Sequence, residues 1–157
     1  MILIIVRHGE AEPKSGSVPD ENRKLTEMGA RNLRNNLNLV RNIEEARVDI
    51  ILSSPLLRGR MSAEIAREVF ELSKIDTDIS LEPASSPYDV FGKLSKFEHS
   101  AHVLIVTHQP LVSHLIAGLL DWSEERFSFG TGAVALVQVK DITAAPRGVL
   151  LGLLPGS

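Results

Sequence analysis

Two arginines and two histidines stand in this sequence where a chain can do chemistry. Arg7-His8 is followed by Gly9. Arg58 lies one turn after Ser54-Pro55, and His108 lies within Thr107-His108-Gln109-Pro110. Arginine offers a fixed fork of N–H donors matched to phosphate or carboxylate oxygens. Histidine titrates near neutrality and serves as nucleophile or proton carrier. Gathered at one place, the four would form a pocket for a dianion, phosphate above all. Taken singly they need not: Arg7-His8 could be two surface residues at a strand's end, with Gly9 only turning the chain.

The elements that carry these residues favour gathering. Residues 2–6 are all apolar and mostly β-branched, which reads as a strand buried on both faces inside a parallel sheet. Residues 48–52 form a second such strand, ended by Ser53-Ser54-Pro55, and residues 102–106 repeat the opening pattern. In open α/β sheets ligands collect beyond the carboxyl ends of the strands. Arg7-His8 and Thr107-His108 lie at two such ends. Arg58 falls in the first turn of the helix after the second strand, and Arg60 should point elsewhere. Ser54 can cap that helix, with Pro55 at its first position, and Pro110 suits the first turn of another. Helix N-termini at the same edge add to its preference for anions.

The remaining segments complete an α/β pattern. Residues 10–23 are a loop, either a wall or lid of the site or a solvated connection. Thr26 is an N-cap for a helix whose apolar face is Ala30, Leu33, Leu37 and Val40. That helix fades over residues 42–45. The helix bearing Arg58 shows Met61, Ile65, Val69 and Leu72 as its core face. Ile79–Leu81 is a short candidate strand, residues 88–97 a helix, and Leu111–Leu120 a helix closed by residues 121–125, with Trp122 anchoring its end. Residues 133–139 and 149–154 are strands joined by a turn over 141–147, hence an antiparallel hairpin. The expected fold is a three-layer α/β/α sandwich with a mostly parallel, mixed central sheet, in a single domain spanning 1–157.

Composition narrows the function. A net charge of -3 implies no general affinity for nucleic acid or an acidic membrane. The absence of cysteine excludes disulfides, thiolate metal sites and a cysteine nucleophile. No stretch reads as a signal sequence or membrane span, so a cytoplasmic protein is expected. His99, His102 and His114 could join His108 in a metal cluster, but their spacing matches no compact ligand pattern.

The sequence resembles the histidine phosphatase superfamily, which includes the cofactor-dependent phosphoglycerate mutases. The resemblance rests on Arg7-His8-Gly9 after an N-terminal strand, Ser54-Pro55-x-x-Arg58 and the late Thr107-His108. Arg7-His8-Gly9-Glu10-Ala11, Leu25-Thr26-x-x-Gly29 and His108-Gln109-Pro110-Leu111-Val112 are most similar to the small phosphohistidine phosphatases of the SixA type. The resemblance implies a phosphoglycerate mutase-like fold and no metal or other cofactor. His8 would be the transiently phosphorylated nucleophile, with Arg7, Arg58 and His108 holding the phosphoryl oxygens. A phosphate or sulfate ion would then bind in the pocket. Where the family often has Ala-x-Gln-Thr after its second arginine, this chain has Gly59-Arg60-Met61-Ser62, and Lys24 replaces a frequent proline.

Larger members also carry an acidic proton donor in an insertion that is short here, leaving Glu82 and Asp89 as candidates. Glu10 could position Arg7 or Arg58, Glu12 reads as a solvated loop carboxylate, and Thr131 would lie near the pocket mouth. The substrate implied is a phosphohistidine protein, such as a phosphotransfer domain. A small-molecule phosphomonoesterase and a non-catalytic module binding phosphorylated ligands are the alternatives. A mutase is disfavoured, because this chain lacks room for the substrate-covering insertion of the larger mutase relatives.

Overall fold

A computed structural model describes residues 1–44, 46–123, 129–143 and 146–157. Among these residues six strands form one sheet: β1 (Ile2–Arg7), β2 (Ile50–Ser53), β3 (Asp76–Thr77), β4 (His102–Thr107), β5 (Val134–Asp141) and β6 (Arg147–Leu154). Their order across the sheet is β3-β2-β4-β1-β5-β6. β4 lies parallel between β1 and β2, pairing Arg7 with Thr107 and Ser53 with Val106. The three strand ends expected to converge therefore do so, with β4 central. β5 runs antiparallel to both β1 and β6, so the hairpin makes the sheet mixed.

Helices α1 (Glu27–Arg41), α2 (Leu57–Val69), α3 (Pro87–Leu94) and α4 (Leu111–Leu120) cover the sheet. Successive side chains of a strand face opposite ways, so β1 serves two cores. Leu3 and Ile5 join α3 and α4 residues on one face, while Ile2, Ile4 and Val6 join α1 and α2 residues on the other. Both faces being covered is why residues 2–6 show no alternation.

Several local expectations shift. Ile79–Leu81 is a 3₁₀ turn, not a strand. The Asp78 carboxylate accepts from the Ser80 N–H at 2.9 Å and its hydroxyl at 2.7 Å, bending the chain. The paired segment comes just earlier, at β3. β2 begins two residues late, and α3 ends at Leu94, three residues short. Leu56, not Ser54, is the N-cap of α2, although the Ser54 hydroxyl still accepts from the Leu56 N–H at 3.3 Å. Pro110 likewise precedes α4 as its N-cap.

The buried face of α2 also differs from the expected stripe. It carries Arg58, Gly59, Ser62, Ala63, Ile65, Ala66 and Val69, while Met61 and Leu72 are only half-buried. Small residues let this helix approach closely: a Cβ on Gly59 would sit 3.1 Å from the Ser54 Cβ. Thr26 caps α1 as expected, accepting from the Gly29 N–H at 2.9 Å. The Trp122 N–H closes α4 on the Ala117 carbonyl at 3.1 Å. Glu45, Glu124, Glu125, Ala144 and Ala145, named above in helix and turn ends, lie outside the described residues.

Gly9 and Gly29 explain how the segment after His8 meets α1. A Cβ on Gly9 would come within 2.8 Å of the Gly29 carbonyl oxygen. One on Gly29 would run into the Glu10 backbone, 2.7 Å from its nitrogen. Both obstacles are main chain and cannot swing aside. Gly29→Ala is therefore expected to destabilise the protein by about 1–3 kcal/mol, the usual cost of forced overpacking. A urea midpoint matching the unmodified protein would contradict this contact.

Candidate active site

At the carboxyl edge of β1 and β4 a cavity of about 370 Å³ is lined by Arg7, His8, Arg58 and His108. The sequence reading placed these four together, and the fold brings them together because three parallel strands end side by side. The imidazoles of His8 and His108 lie with ring centroids 4.8 Å apart, tilted by 50°. His8, Arg58 and His108 are all buried.

The protonation of His8 follows from its partner. Its Nδ1 lies 2.7 Å from the Gly9 carbonyl oxygen. A carbonyl only accepts, so Nδ1 carries the hydrogen and Nε2 keeps its lone pair. Burial above all, helped by the charges of Arg58, Arg7 and Arg23, pushes the His8 pKa down to about 4, against the pull of the Gly9 hydrogen bond. The ring is neutral at pH 7, as a nitrogen nucleophile must be. His108 is pushed down to about 3 by burial, then by His8 and Arg58.

The arginines are held from behind. Arg7 Nη1 donates to the Phe129 carbonyl at 2.5 Å. Arg58 Nη1 donates to the Asp20 carbonyl at 2.7 Å, and its Nη2 meets the Asp20 carboxylate at 3.0 Å. That carboxylate also accepts from Arg23 Nε at 2.9 Å. Although burial opposes it, Arg58 and Arg23 hold the Asp20 pKa below its ordinary value. Arg7 Nε, Arg58 Nε and both ring nitrogens of His108 are buried with no hydrogen-bond partner among the described residues. Such groups are costly unless something meets them. An oxyanion would meet the two arginine donors and the one N–H that a neutral His108 carries.

The loop over residues 10–23 is thus a wall of the pocket, through Lys14, Asp20 and Arg23. Sequence reasoning missed Asp20 and Arg23. Their i,i+3 spacing in a polar loop was the one available signal. Glu10 lines the pocket, but its carboxylate accepts from the Thr26 hydroxyl at 3.2 Å and makes no bond to Arg7 or Arg58. Thr131 lies at the pocket as expected, its N–H bonded to the Ser157 carbonyl at 3.2 Å. Glu82 and Asp89 are not among the lining residues; Pro83 takes that rim. The Thr107 hydroxyl sets this rim by donating to the Leu81 carbonyl at 2.8 Å. His99 and His102 line a separate cavity at the opposite sheet edge, beside Met1 and Lys140.

The depressed histidine pKa values carry a stability consequence. Below pH 6.5 the unfolded chain binds protons at both positions that the folded chain does not, so stability falls with pH. The fall runs from about 6.5 toward 4 for His8 and toward 3 for His108. Its slope approaches about 1.4 kcal/mol per pH unit for each ring. The urea midpoint should drop between pH 6.5 and 4.5, and His108→Gln should lessen the drop. An identical pH dependence in both proteins would contradict the burial of a neutral His108.

Residues 3–82 match the model of the histidine phosphatase superfamily (branch 1). The chain is 29% identical over 147 residues to the phosphohistidine phosphatase SixA of Escherichia coli (strain K12), covering 90% of this chain and 87% of that one. It superposes on a solved structure of the protein histidine phosphatase SixA complexed with tungstate with a TM-score of 0.85. The identity there is 26%, over 99% of this chain and 97% of the other. A mycobacterial glucosyl-3-phosphoglycerate phosphatase complexed with VO3 shares the fold at a TM-score of 0.71 and 17% identity, over 99% of each chain.

Proposed function

The chain belongs to the histidine phosphatase superfamily (branch 1), and from that premise we propose that it removes the phosphoryl group from phosphohistidine in a protein, by way of a phosphorylated His8. The proposal takes residues 1–157 as one catalytic domain acting in the cytoplasm. Among the described residues no helix is long and apolar enough to cross a membrane.

One observation carries the reading. A neutral His8, its Nδ1–H fixed on the Gly9 carbonyl, sits among buried arginine and histidine nitrogens that have no described partner. In the first step the Nε2 lone pair attacks phosphorus. The bond to the leaving nitrogen breaks, and its electron pair stays with that nitrogen. Arg7 and Arg58 meet the charge on the equatorial oxygens, which is where phosphoryl transfer most needs fixed donors. In the second step water attacks the phosphorus of phosphorylated His8, the N–P bond breaks, and the water's proton passes to the departing phosphate. Inorganic phosphate leaves, and Nε2 regains its lone pair.

Two considerations support phosphohistidine as the substrate. The similarity to the SixA phosphatase of Escherichia coli runs over most of the chain. The carboxylates lining the pocket are also poorly placed as proton donors: Asp20 is held ionised between Arg58 and Arg23, and Glu10 is engaged with Thr26. A leaving group that needs no acid from the protein suits such a site. The imidazole of phosphohistidine, protonated on its other nitrogen from solvent, leaves as a neutral ring. An alkyl phosphate would have to depart as an alkoxide.

The test is release of inorganic phosphate from a phosphohistidine peptide, p-nitrophenyl phosphate and 3-phosphoglycerate. Fast turnover of the peptide and slow turnover of 3-phosphoglycerate is the expected result. Comparable rates on both would replace the protein substrate with a small phosphoester. Phosphate binding without turnover of any substrate would make the protein a phospho-ligand binding module.

A further inference from the structure

We infer that Ser62 is a positioning residue for this reaction, holding His8 in the tautomer that leaves Nε2 free; the inference rests on His8 being the nucleophile. Ser62 lies on α2 four residues after Arg58 and is completely buried. Its hydroxyl donates to the Arg58 carbonyl at 2.7 Å. Having spent its single hydrogen there, Oγ receives the Gly9 N–H at 3.1 Å as an acceptor. The Gly9 carbonyl in turn accepts from His8 Nδ1 at 2.7 Å. A continuous chain of hydrogen bonds thus runs from the backbone of Arg58 through Ser62 and Gly9 to the His8 ring.

Gly9 is the link that gives this chain its importance. Glycine is required there because a Cβ would strike the Gly29 carbonyl. Glycine is also the residue with the most backbone freedom. Its two peptide planes therefore need to be fixed from outside: the one that carries the N–H is held at that end by the Ser62 hydroxyl and at its His8 carbonyl by the Gly132 N–H at 2.9 Å. Without the hydroxyl, the Gly9 N–H is a buried donor with no acceptor, which favours rotation of the segment. The carbonyl would then leave Nδ1, and the proton could move to Nε2, the atom that must attack. The guanidinium groups of Arg7 and Arg58 make no bond to the hydroxyl, so phosphate affinity should be spared.

Three variants and two readouts test this. Ser62→Ala is expected to lower kcat on the order of 10-fold, the scale of a small misplacement of a reacting group, with KM nearly unchanged. Ser62→Thr, which keeps the hydroxyl, should restore kcat. Ser62→Cys, similar in size but weak in hydrogen bonding, should follow Ala and serves if Ala impairs folding. Nitrogen-15 NMR of His8 should show a protonated Nδ1 in the unmodified protein and a rising share of protonated Nε2 in Ser62→Ala. A lowered melting temperature with an unchanged tautomer and kcat would overturn the inference and leave Ser62 a packing residue. Absence of an acid-labile phosphorylated His8 during turnover would instead defeat the nucleophile assignment, and the tautomer measurement keeps the two failures apart.

Discussion

His8→Ala is expected to abolish phosphate release, with a loss on the order of 10⁴-fold or more, as when a covalent nucleophile is removed from an intact site. The size follows from the route. The remaining groups can still bind a phosphoryl group, but no other described side chain in the pocket offers a neutral nitrogen with a free lone pair and a fixed second hydrogen. His108 is neutral too, yet neither of its ring nitrogens is held by a described partner that would fix its tautomer. Binding of phosphate or tungstate should survive, because Arg7 and Arg58 keep the contacts that aim them. Isothermal titration alongside the phosphate assay separates the two effects. Turnover persisting in His8→Ala would reject the covalent mechanism outright.

Arg58→Ala should be the next most damaging change, lowering kcat/KM by about 10²–10³-fold, the range for deleting one preorganised donor to a developing oxyanion. Two losses combine here. The guanidinium no longer neutralises charge on the phosphoryl oxygens, and the Asp20 carboxylate it engaged at 3.0 Å stays in the pocket wall with one cationic partner fewer, Arg23 remaining at 2.9 Å. Repulsion between that carboxylate and a dianion adds to the missing attraction. Asp20→Ala in the same chain should therefore recover part of the loss, although Asp20→Ala alone should reduce activity by freeing Arg58. A double-mutant cycle in kcat/KM measures this coupling. Purely additive effects would show that Asp20 does not act through Arg58.

The two cases differ in how far they were legible beforehand. His8 and Arg58 stand out because each follows a strand marked by a continuous apolar run, and strand ends are where such sheets bind ligands. Asp20 stands out much less: it reaches Arg58 across 38 positions of chain from a polar loop with no periodicity. Ser62 was noticed only as a departure from a family pattern, because a single hydroxyl on a helix gives no indication of what it will touch. The α2 stripe was misread for a related reason. Periodicity counts large apolar residues, whereas the face that packs closest selects Gly59, Ser62, Ala63 and Ala66.

By itself, then, the sequence determined the main strands and helices and the chemistry they carry. Residues 2–6 and 102–106 read as buried strands, Thr26 as a helix start, and two arginines with two histidines at or just beyond strand ends point to a site for a dianion. These are local properties, set by side-chain type and spacing along a few residues. Only the tertiary structure decided that β4 lies between β1 and β2, that Asp20 engages Arg58, and that Ser62 reaches through Gly9 to His8. Those contacts join segments far apart in sequence, and sheet order and close packing, not local preference, choose their partners.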